Sequence, residues 1–170
     1  MRTTEQMPKI QAIALERMAW SRGFVESLLN GITDDQLIVR PGGTGNHALW
    51  IMGHYAVTDD QILAMMTGES ETLPETFAKR FTAGSEPIDD VAAYPTRHEL
   101  TTTMRSTRER MSAWVASLPE SDWGTATPEA LAPFATDAIS VPFAIAAHDL
   151  FHAGQLATVR ASLGLPRLHV

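Results

Sequence analysis

Apolar residues recur at three- and four-residue spacing in four separate stretches of this 170-residue chain, and no stretch of useful length alternates as a half-buried strand does. The pattern predicts an all-α fold, because each amphipathic stretch can bury its apolar face only against another helix. The first stretch runs from about Glu5 to Asn30 through Ile10, Ala14, Met18, Val25 and Leu28, with Pro8 in its opening turns and Gly31 as its stop. The second carries Leu49, Trp50, His54, Val57 and Leu63 between Asn46, an N-cap residue type, and Gly68. Thr96 and Glu99 form a capping box that opens the third, which continues through Leu100, Met104, Met111 and Val115 until Pro119. The fourth starts at Ser140 and Pro142, passes through Ile145, Leu156 and Val159, and ends before Gly164 and Pro166.

Between these stretches the periodicity lapses. Residues 31–43 form an irregular link pinned by Ile32, Leu37 and Ile38. Glu69 to Pro95 gathers four turn-forming residues and reads as a long crossover with a turn of helix around Glu75–Phe81, and a second loop spans Glu120 to Ile139. Four helices with long crossover connections predict a four-helix bundle in which residues 1–170 form one domain. A hydrophobic content of 44% and a charged content of 19% fit a chain that buries a core.

The net charge of −7, with no clustered Lys/Arg stripe, argues against nucleic acid and anionic membranes as partners. No apolar run approaches the roughly 18 residues of a membrane span, and the N-terminal residues lack the apolar core of a signal peptide, so a soluble, cytoplasmic protein is expected. Without cysteine, any metal must be held by His, Asp or Glu.

Among six histidines, His148 and His152 lie four apart, which on a helix stacks both imidazoles on one face within reach of a common ion. His54 lies in an apolar neighbourhood of another helix, where an unpaired imidazole is costly to bury. Three neutral imidazoles from two helices would leave coordination positions open for water or substrate, the pattern of catalytic sites; the bland reading is a core histidine bonded to a carbonyl or a Glu. Trp50, one turn before His54, is placed to pack beside the metal. Gln155, three residues beyond His152, can face the site or lie at the surface. His47 can line its mouth or serve the helix N-terminus. Asp59 and Asp149 are possible acceptors for ligand imidazoles, His98 and His169 are surface candidates, and the tryptophans Trp20, Trp50, Trp114 and Trp123 are mostly spaced as core residues. The arginines from Arg105 to Arg110 read as the solvated face of the third helix. Gly154 inside a helix suggests the close approach of another helix.

The segments Arg40-Pro41 through Asn46-His47-Ala48-Leu49-Trp50-Ile51-Met52-Gly53-His54, and Ala147-His148-Asp149-Leu150-Phe151-His152-Ala153-Gly154-Gln155-Leu156, resemble the DinB-like (DinB/YfiT) superfamily. In that family a histidine early in the second helix and an H-x-x-x-H-x-G-Q motif on the last bind a metal such as zinc or nickel, and His54, His148 and His152 occupy the matching positions. The resemblance implies a homodimer and a metal-dependent enzyme acting on a small molecule, and it leaves the catalytic residues unknown. Thiol S-transfer, with a low-molecular-weight thiol as co-substrate, and hydrolysis are the two reactions it suggests. A hydrolase needs a general base, and no carboxylate is convincingly spaced beside the histidines, which favours thiol transfer. A non-catalytic, stress-associated metal- or ligand-binding bundle is the alternative. A ferritin-like di-iron site is discounted, since the chain has no E-x-x-H.

Overall fold

In the computed structural model, which describes residues 7–168, the α-helical structure is four long helices and one short one: α1 (Met7–Leu29), α2 (Ala48–Thr67), α3 (Glu75–Phe81), α4 (Arg97–Ser117) and α5 (Val141–Ser162), with short 3-10 turns in the links between them. The expected start of the first helix at Glu5 and the histidine at 169 lie outside the described residues. No strand forms among the described residues beyond one isolated bridge, Ala126 to Asp137, in the link before α5. None of the described helices is long and apolar enough to cross a membrane.

The helix ends follow local chemistry. Gly68 closes α2 in the left-handed region at φ 74° and returns its N–H to the Ala64 carbonyl. Thr96 and Glu99 exchange the two bonds of a capping box at the start of α4, and Pro142 lies in the first turn of α5, where a missing N–H costs nothing. At α2 the N-cap is His47 rather than the expected Asn46: its Nδ1 accepts from the Trp50 N–H at 3.0 Å.

α1 packs chiefly against α5, and α2 against α4, with further contacts between α1 and α4 and between α2 and α5. Two apolar clusters fill the interior. One gathers Val25, Leu49, Trp50, Tyr55, Leu100 and Leu156; the other gathers Met18, Leu63, Met111, Trp123 and Ile145. α2 and α4 meet the two clusters in the same order along the chain, and α1 and α5 in the opposite order. Side-by-side α2 and α4 therefore run in the same sense, and residues 68–96, with α3 among them, carry the chain back along their length. The N-terminal half of α2, from Ala48 through Val57, is buried all round, as a helix apolar on every face must be.

Between the two clusters lies a buried polar layer to which each long helix contributes one charge: Arg22 from α1, Asp59 from α2, Arg108 from α4 and Asp149 from α5. Arg108 bonds both Asp59 oxygens, at 2.9 and 3.0 Å, and both Asp149 oxygens, at 2.9 and 3.1 Å. Arg22 reaches both carboxylates as well, and Ser21 Oγ donates to Asp149 at 2.7 Å. This corrects the reading of Arg105 to Arg110 as one solvated face. Arg105 does pair with Glu26 at the surface, but Arg108 points inward because it continues the apolar row of Met104, Met111 and Val115 by helical steps. Trp20, expected among the core residues, is 43% exposed and stacks on Phe24.

Candidate metal centre

His54 lies in the fully buried half of α2, while His148 and His152 project from α5, one helical turn apart. Because α2 packs against α5, the three side chains meet: each offers one ring nitrogen, and these nitrogens lie within 4.8 Å of one another. The Nε2 atoms of His54 and His148 are 3.1 Å apart, close to the roughly 3.3 Å that separates two imidazole nitrogens on one tetrahedral zinc.

The back nitrogens decide which lone pairs face inward. His54 Nδ1 is 2.8 Å from the Phe81 carbonyl; a carbonyl only accepts, so Nδ1 carries the proton and Nε2 of the neutral ring presents a lone pair to the cluster. His152 Nδ1 donates in the same way to Gln155 Oε1 at 2.8 Å, and Asn46 Nδ2 donates to the same oxygen at 3.5 Å. Such outer partners are what orient metal-bound histidines. Asp59 and Asp149, expected in this role, do not fill it: their carboxylates are consumed by Arg22 and Arg108.

Aromatic rings hold the imidazoles in place. Trp50 stacks on His54 with ring centres 4.6 Å apart and planes 15° from parallel. Tyr55 stands edge-on to both His148 and His152, at 6.0 and 5.7 Å, while its hydroxyl donates to the Asp149 carbonyl at 2.9 Å. Burial disfavours charge on all three histidines. It lowers His54 to about 4; burial, then the neighbouring His152 and His54, lowers His148 to about 3; and burial lowers His152 from the ordinary imidazole value. The three imidazoles are therefore neutral at pH 7, and those of His54 and His152 present Nε2 lone pairs to the cluster. Donor type, spacing and protonation all fit one divalent ion.

Of the residues expected at the edge of the site, Trp50 and Gln155 contact its histidines. His47 does not join the cluster; besides capping α2, its Nε2 donates to the Ile88 carbonyl at 3.2 Å, while Trp50 Nε1 donates to Ser85 at 2.9 Å. Both bonds tie the link between α2 and α4 to the site end of α2. His98 is exposed at the start of α4. Gly154 is exposed, and a Cβ there would meet nothing within 4 Å, so close helix approach is not its reason and the structure supplies no other.

Sequence reasoning missed the Phe81 carbonyl, Tyr55 and the buried charges. A backbone acceptor in a link without periodicity leaves no sequence signal. Arg22 and Arg108 did leave one, each being a charge on an apolar helical row.

The DinB superfamily model matches residues 17–156, a span that includes all three histidines and Gln155. This chain belongs to the DinB superfamily. No curated protein matches it significantly.

Proposed function

We propose that the chain is a single-domain, cytoplasmic four-helix-bundle enzyme that binds one divalent transition metal, zinc or nickel, through His54, His148 and His152. The carrying observation is the convergence of three neutral imidazoles, two of them with their outer nitrogens pinned to acceptors. Bound there, such an ion would keep its full charge and lower the pKa of a thiol or a water at its open face.

Thiol S-transfer is the reaction the surroundings favour. Hydrolysis would need a carboxylate or a free imidazole to take a proton from water. Among the described residues the metal-holding group contains histidines alone, and the nearby Asp149 carboxylate is already bonded to two arginines and a serine. Burial alone would raise that carboxyl, but Arg22 and Arg108 hold it below the usual carboxylate range, which fixes it as an anion and not as a base. The residues' own part is then to orient: Trp50 and Tyr55 wall the imidazoles, and Phe81 and Gln155 set their tautomers.

A homodimer accords with Phe143, Leu150 and Phe151, large apolar side chains left exposed along α5. Tag-free protein analysed by elemental mass spectrometry tests the central reading. About one equivalent of metal in the parent, lost in His54→Ala and in His148→Ala/His152→Ala, supports it. No stoichiometric metal after reconstitution with zinc and nickel sinks it, whereas metal without turnover of any thiol and electrophile pair leaves a binding protein.

A further inference from the structure

The helical row that carries His54 continues along α2 through Thr58, Gln61, Ile62 and Met65, and the row that carries His148 runs back along α5 through Ile145 and Val141. These rows face one another. Leu131 and Phe134, from the link before α5, close a third side and leave a cavity of about 350 Å³ that has His54 and His148 in its wall. That volume is at the lower end of small-molecule sites, roughly 300–1,000 Å³.

The chemistry of the wall selects the occupant. Apart from the two histidines, Thr58 and Gln61 alone bring side-chain hydrogen-bonding groups; every other described lining residue is apolar, and none is charged. Away from the histidines, a charged group on a ligand would lose its hydration with no counter-charge to replace it. At the rim Phe134 is 77% exposed, an aromatic side chain that gains cover only when something apolar lies beneath it.

We propose that this cavity binds the uncharged, apolar body of the small-molecule substrate, aromatic or branched aliphatic, with its reactive end toward His54 and His148 and its one polar contact from Thr58 or Gln61. Substrates that would place a phosphate or carboxylate in the apolar part, away from the histidines, are excluded from it. Naming the molecule a substrate rests on the metal reading above; its seat in the cavity does not.

The test uses two dyes on one skeleton: neutral N-phenyl-1-naphthylamine and its sulfonated counterpart 8-anilino-1-naphthalenesulfonate, titrated by fluorescence into metal-stripped and zinc-loaded protein. Saturable one-site binding of the neutral dye is expected in both, with the sulfonate at least about tenfold weaker in the metal-stripped protein. Ala144→Trp, which fills the cavity from α5, should weaken the neutral dye at least about tenfold while thermal melt and metal content stay unchanged. If that variant does not fold, Met65→Glu at the exposed edge should produce the same loss. Unsaturable binding, equal affinity for both dyes in the metal-stripped protein, or undiminished binding in a folded variant overturns the proposal. A dye affinity that falls as protein concentration rises overturns it too, and assigns the cavity to a second copy of the chain. Dye binding by a protein that takes up no zinc or nickel on reconstitution would sink the metal reading alone; metal uptake without dye binding would sink this one alone.

Discussion

A Cβ atom on Gly53 would stand 2.3 Å from the ring of Phe81, nearer than any side chain can come, and the carbonyl of that same Phe81 accepts the Nδ1 proton of the adjacent His54. Absence of a side chain at one position therefore lets α3 approach closely enough to set a tautomer at the next. Gly53→Ala should push Phe81 outward, cost about 1–3 kcal/mol by overpacking, and weaken zinc binding as the His54 bond lengthens. Denaturant unfolding and competitive zinc titration check both effects; a variant with parental zinc affinity would show that the Phe81 bond is dispensable.

Gly154 is the opposite case. It is exposed on α5 with open space where a Cβ would go, so Gly154→Ala should raise stability by up to about 1 kcal/mol through helix propensity and leave metal affinity unchanged. A lower melting temperature would reveal a constraint at this position that the packing does not show.

Gln155 is expected to act on the metal through His152 without touching it. Removing the amide in Gln155→Leu releases the His152 tautomer and should reduce metal affinity about 10–100-fold with little change in fold. Competition with a chromophoric chelator measures this, and near-parental affinity would reduce Gln155 to a surface amide.

Protonation should weaken the metal-free protein in a defined pH window. Unfolded histidine titrates near 6.5, whereas folded His54 and His148 are held down to about 4 and about 3. As pH falls below 6.5 the unfolded chain takes up protons that the folded chain refuses. Stability is thus complete above pH 6.5 and falls on acidification, with a slope approaching about 1.4 kcal/mol per pH unit for each such histidine. Urea midpoints between pH 7 and 5.5, above the range of ordinary carboxylates, should show the decline, and His54→Leu/His148→Leu should make it shallower, leaving the share of buried His47 and His152. A flat parental profile would mean that these imidazoles accept protons in the fold.

Breaking the central charge layer should be the most damaging single change. Asp149→Ala leaves Arg22 and Arg108 buried with one carboxylate between them, for an expected loss of about 3–5 kcal/mol. Calorimetry decides, and a loss under about 1 kcal/mol would mean that water reaches the layer.

The all-helical architecture was legible because periodicity and stop residues are local: Gly68, the Thr96–Glu99 box and Pro119 end or begin helices where their own chemistry requires. Even Glu75–Phe81 could be read inside an otherwise aperiodic link. The three histidines were legible as a set because a four-residue spacing and an imidazole in an apolar helix are both anomalies that a common ion would resolve. Their outer partners were not, since Phe81 acts through its backbone and Gln155 could have turned either way. Asp149 was drawn toward the histidines by its place in the chain, yet one helical position is about 100° of rotation, enough to send its carboxylate to the arginines instead.

That rotation links the charge layer to the histidines. Asp149 sits between His148 and His152 on a single stretch of α5, so whatever fixes the azimuth of its carboxylate also aims both imidazoles. The four-charge layer works as a keyway, admitting α5 at one angular setting and one height relative to the other three helices. Grafting the three histidines onto another all-helical protein without that keyway would transfer the ligands but lose their aim.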